Sequence, residues 1–104
     1  MNVWRSRDLL AKDEFFEVVK TTPRSQFATM VLQPGQVSGE LGNEHPDSDQ
    51  WLIVVEGSGE LVTDAGVQPI GQGDVVLVPA PENHQFRAKD EVLRTITFYG
   101  PPAY

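Results

Sequence analysis

The chain contains no cysteine. That absence excludes disulfides, thiolate metal centres and cysteine nucleophiles. Positive charge is scarce: 8 Lys and Arg stand against 15 Asp and Glu, a net charge of -7. A balance of that sign repels phosphate backbones and anionic membrane surfaces, so no nucleic-acid and no membrane partner is expected. Long hydrophobic runs are missing. The longest, Trp51 to Val55, is far too short to cross a bilayer. The first residues carry Arg5, Arg7 and Asp8 and no apolar core of a leader, so no signal peptide is expected. A cytoplasmic location fits these features. A sustained helical period is also lacking; only Asp8–Asp13 reads as one helical turn. Histidine occurs twice, as His45 and His84.

What is present is a series of short runs rich in Val, Ile, Phe and Thr, separated by turn residues. The runs are Phe15–Lys20, Gln26–Gln33, Trp51–Glu56, Glu60–Thr63, Asp74–Val78, His84–Ala88 and Val92–Tyr99. Short strands with regular turn signals predict an all-β sandwich or barrel. A length of 104 residues suits one domain with one core. In Val92–Tyr99, Val92, Arg94, Ile96 and Phe98 share one face, and Leu93, Thr95, Thr97 and Tyr99 the other. Both faces are largely apolar, as in a barrel strand whose outer face is covered by another strand or subunit. Asp64-Ala65-Gly66 reads as a hairpin turn in which Gly66 takes a positive φ.

Each histidine sits in a frame of glycines and prolines. The first frame runs from Pro34-Gly35 through Asn43-Glu44-His45-Pro46-Asp47-Ser48-Asp49-Gln50 to Gly57. The second runs from Gly73 through Pro79-Ala80-Pro81 to His84 and Ala88. These frames resemble the two motifs of the cupin superfamily, Gly-x5-His-x-His-x3–4-Glu-x6-Gly and Gly-x5-Pro-x-Gly-x2-His-x3-Asn. In the second, Gly73, Pro79 and His84 keep their places, with Pro81 and Ala88 as replacements. In the first, counted back from Gly57, Gln50 stands at the Glu position, His45 at the second His and Asn43 at the first. Motif one thus spans about 34–57 and motif two about 73–88.

The resemblance implies a single-domain cupin-type jelly-roll β-barrel over residues 1–104. It also implies a mononuclear divalent metal in the barrel. By the resemblance its ligands are Asn43, His45, Gln50 and His84. Residues at i and i+2 on a strand share a face, which pairs Asn43 with His45. Glu44 is the alternative to Asn43 if a bulge turns it inward. Two imidazoles and two amide oxygens suit Fe(II), Mn(II), Ni(II) or Zn(II). Four neutral ligands leave the ion its full charge, a stronger Lewis acid that favours an anionic next ligand. Counting by twos from Gln50 and His84 places Leu52, Val54 and Phe86 on the ligand side, with Tyr99 among the pocket-lining residues. Apolar walls with a few polar groups fit a small organic ligand.

Each residue also has a plainer reading. Both histidines can be polar barrel residues bonded to neighbours. Gln50 can cap the turn, Asn43 can form an Asx turn, and Asp47 and Asp49 can be solvated, with Asp49 also placed to orient a side chain. Reactions of the resembling family include dioxygenation, decarboxylation and sugar isomerisation, and no general base stands out. The alternative is a non-catalytic small-ligand-binding barrel without metal, favoured by the altered first motif. A structural dimerisation module is a third reading. A homodimer is expected by the resemblance, through the outer face of Phe15–Val19 and the terminal segment Tyr99–Tyr104.

Overall fold

A computed structural model describes residues 1–43 and 45–104. One short helix, α1 (Ser6–Leu10), precedes eight strands: β1 (Phe16–Thr21), β2 (Gln26–Leu32), β3 (Asp49–Glu56), β4 (Ser58–Thr63), β5 (Gly66–Gly71), β6 (Val75–Val78), β7 (His84–Ala88) and β8 (Leu93–Gly100). They form a five-stranded sheet in the order β1-β2-β8-β3-β6 and a three-stranded sheet in the order β5-β4-β7. All named pairs are antiparallel. The turn spacing predicts this all-β architecture, and the family resemblance the jelly roll. The two sheets face each other without joining strand to strand. No helix among the described residues is long and apolar enough to cross a membrane.

Alternation explains the layers. In β3, Gln50, Leu52 and Val54 are buried while Asp49, Trp51 and Glu56 are exposed. In β8, Leu93, Thr95, Thr97 and Tyr99 are buried. The inward positions of neighbouring strands align in rows: Gln26, Tyr99, Gln50 and Val78 form one row, and Ala28, Thr97, Leu52 and Val76 the next. The first row is polar at its centre and lies at the functional end. Deeper rows join the apolar core with Phe86, Ala88, Ile70, Leu32 and Leu93. Buried threonines satisfy their hydroxyls on neighbouring carbonyls: Thr95 donates to Met30 O at 2.9 Å and Thr97 to Trp51 O at 3.1 Å.

Gly57 is the hinge between the sheets. Its φ is +89°, and a Cβ there would stand 1.8 Å from Val92 O. Only glycine lets the chain leave β3 for the opposite sheet so close to another backbone. The Asp64-Ala65 hairpin forms as expected, with Gly66 at φ 134°.

One element departs from the sequence reading: Gly66, Pro69 and Gly71 argue against a strand, yet they lie in β5. It is an edge strand, where the missing proline N–H costs no ladder bond. The terminal segment packs on its own chain. Gln26 is buried; its Oε1 accepts from Ala103 N and Tyr104 N, and its Nε2 donates to Tyr104 O at 2.7 Å. Tyr104 then lies against Phe16 and Tyr99.

Candidate metal centre

His45 comes from the connection between β2 and β3, Gln50 from the start of β3 and His84 from the start of β7. Different local devices aim the two rings. A turn closed by Ser48 N on His45 O at 3.0 Å returns the chain toward β3, and the His45 Nδ1 lies 3.0 Å from Ser48 O. His84 is held by a bridge to Gly42, its N–H donating to Gly42 O at 2.8 Å, and its Nδ1 lies 3.1 Å from Glu82 O. The two Nε2 atoms meet at 3.1 Å, and His45 Nε2 is also 3.0 Å from Gln50 Oε1. The structure therefore brings His45, Gln50 and His84 to one point.

The Gln50 amide has a defined sense. Thr97 gives its hydroxyl hydrogen to Trp51 O, so its oxygen is left to accept. Gln50 Nε2 donates to it at 2.8 Å and lies 3.3 Å from the Tyr99 hydroxyl. Oε1 consequently faces His45.

Both Nδ1 atoms face carbonyl oxygens, so each calls for an N–H. With both Nδ1 atoms donating, the Nε2 lone pairs of His45 and His84 are turned to the same point as Gln50 Oε1. Metal–ligand bonds of roughly 2.0–2.2 Å put two donors at right angles about 3 Å apart, close to the separations observed. The donor set of two imidazole nitrogens and one amide oxygen fits a borderline divalent ion. Among the described residues no group of three or more His, Cys, Asp or Glu gathers.

Asn43 is placed differently from the expectation. Its Oδ1 accepts from His45 N at 3.0 Å and its Nδ2 donates to Ala80 O, so both ends of the amide are held by backbone. The strand alternation that pairs Asn43 with His45 does not operate, because these residues lie in a turn rather than a strand. Glu44 lies outside the described residues. Asp49 caps Ala80 N at 2.9 Å. Asn43 and Asp49 thus grip both sides of Ala80, tying the Pro79-Ala80-Pro81 turn of the second frame to the first.

Above the donors lies a cavity of about 210 Å³. Phe86 and Tyr99 line it as expected, together with Met30, Phe16 and Tyr104. Leu52 and Val54 do not. They fill the core beneath it, one and two rows deeper than Gln50. Tyr99 packs edge-on to His45 at 5.0 Å and Phe86 to His84 at 5.9 Å, fixing both rings from the apolar side. Thr97 was legible as an inward residue by its two-residue spacing from Tyr99, though its grip on Gln50 was not. Nothing local signals that Tyr104 reaches the cavity.

The family model described as a cupin domain matches residues 28–99. The chain belongs to the cupin family. Several solved cupin structures are similar to it. A crystal structure from Bacillus halodurans superposes with a TM-score of 0.90 at 24% identity, over 100% of this chain and 83% of that one. A sugar phosphate isomerase from a cupin superfamily, from Silicibacter pomeroyi, aligns with a TM-score of 0.68 at 29% identity, over 76% of this chain and 52% of that one. KdgF from Halomonas sp. aligns with a TM-score of 0.73 at 22% identity, over 84% of this chain and 79% of that one. No curated protein matches the sequence.

Proposed function

We propose that this cupin processes a small oxygen-bearing molecule at a mononuclear divalent metal held by His45, His84 and Gln50. The observation that carries this reading is the convergence of two Nε2 atoms and one amide oxygen within 3.0–3.1 Å contacts. A bound Fe, Mn, Ni or Zn ion supplies Lewis acidity, undiminished by a carboxylate from these three residues. The chain supplies the rest. Ser48 O and Glu82 O hold the ring tautomers, Thr97 holds the amide, and the aromatic walls exclude water from the donors. One structural neighbour carries the name sugar phosphate isomerase, which agrees with a small-molecule role at this fold.

The test is elemental analysis of protein purified without chelators, beside its His84→Ala variant. About one transition metal per chain, lost in the variant, is expected. Equal metal in both overturns the assignment. A second reading is a metal-free ligand-binding barrel. It is supported by the buried polar side-chain atoms, which among the described residues all have a hydrogen-bond partner without an ion. Absence of metal in both proteins after reconstitution selects it.

We also propose a homodimer, formed through the outer face of the five-stranded sheet. Trp51, Leu77, Val75 and Phe98 are exposed there, and the register makes Trp51 the neighbour of both Leu77 and Phe98. A chain of net charge -7 repels its copy least where the two meet through apolar side chains such as these.

A further inference from the structure

We infer that the cavity selects a flat single-ring compound with oxygen at one edge, of the phenol or catechol class, and rejects phosphorylated sugars. The inference rests on the cavity being the substrate site of the function proposed above. Three observations carry it.

The first is the wall. Phe15, Phe16, Phe86, Tyr99 and Tyr104 line the space with Met30, so the walls offer five aromatic rings and a thioether. Flat rings gain offset or edge-on contacts from such walls, and sulfur packs well against ring edges. Saturated, hydroxyl-studded sugars would strand their hydroxyls there.

The second is the distribution of polar atoms. His45, His84 and Gln50 meet at one point, while Ser38 Oγ accepts from Phe86 N at 2.9 Å and Glu40 is exposed. A ligand with its oxygens on one edge places them at the donors and its apolar edge against the rings.

The third is charge. Among the described lining residues none is Lys or Arg. Arg87 alternates out of the lumen between buried Phe86 and Ala88 and lies 4.0 Å from Glu60; Arg94 lies 3.6 Å from Glu56. A phosphoryl group pendant from the ring and away from the donors would find no Lys or Arg on the described walls and would face an acidic protein. The size agrees, since a cavity of about 150 Å³ already accommodates a benzene ring and this one measures about 210 Å³.

The experiment uses the full chain loaded with Co(II), followed by its visible absorption and by amide 1H–15N shifts. Catechol and D-ribose 5-phosphate are titrated separately into the protein and into its Phe16→Ala variant. Catechol is expected to bind at least tenfold tighter than ribose 5-phosphate, and to lose about tenfold in the variant. Equal or tighter binding of ribose 5-phosphate overturns the inference. So does catechol binding that Phe16→Ala leaves unchanged, because the wall then contributes nothing. Failure of Co(II) to enter sinks the metal reading by itself. The amide shifts of Phe86 and Tyr99 still rank the two probes in that case, and the same ranking decides the inference.

Discussion

Thr97 fixes which end of the Gln50 amide faces the histidines. Its hydroxyl hydrogen is committed to Trp51 O, so it can only accept from Gln50 Nε2, 2.8 Å away. The register places Thr97 opposite Leu52 and Tyr99 opposite Gln50 on the adjoining strands, so the lock crosses from β8 to β3 diagonally. The glutamine turns its oxygen toward the histidines because a threonine one row deeper holds it that way.

Thr97→Val removes the acceptor and lets the amide turn its nitrogen toward His45. Metal affinity, measured by competition with a chelating dye, should fall by roughly 10–100-fold, the range typical of a lost supporting hydrogen bond at a metal site. Stability should fall by about 1–3 kcal/mol, because a buried amide N–H loses its partner. In a Gln50→Glu background the affinity loss should nearly vanish, since a carboxylate presents oxygen from either end. An equal loss in both backgrounds would mean that Thr97 acts through packing alone.

Asn43→Ala separates a turn-holding role from a ligand role. Loss of its bonds to His45 N and Ala80 O should lower stability by about 1–2 kcal/mol in urea unfolding. Metal content at saturating ion should stay near one per chain, in contrast to the His84→Ala variant. A folded Asn43→Ala protein that no longer retains metal would return Asn43 to the ligand set.

The dimer is addressed by Trp51→Glu. The side chain is 49% exposed in the single chain, so the fold should be altered by no more than about 0.5 kcal/mol. Light scattering should give a dimer for the parent at micromolar concentration and a monomer for the variant. A monomeric parent under the same conditions would remove the proposal.

Alternation along β3 and β8 was readable in the residues. It correctly put Leu93, Thr95, Thr97 and Tyr99 on one face, because the side-chain period of a strand is local and fixed. The same rule does not reach Asn43, which lies outside the strands and whose short amide bonds to nearby backbone instead. It also sent Leu52 and Val54 to the cavity wall. They do face inward, but how far down the lumen a residue lies depends on the row it joins across several strands. Strand β5 escaped notice because local propensity cannot tell an edge from a centre.

The sequence by itself determined the strand punctuation, the inward faces, the acidic charge and the two histidine frames. Those are properties of neighbouring residues, of composition and of spacing. Only the tertiary structure decided that His45 and His84, 39 positions apart, meet at their Nε2 atoms. It alone decided that Thr97 sets the sense of Gln50, and that Tyr104 folds back against Phe16 over the cavity. These are meetings of groups distant in the chain. They are set by sheet register and by the pairing of buried polar atoms, which no local pattern encodes.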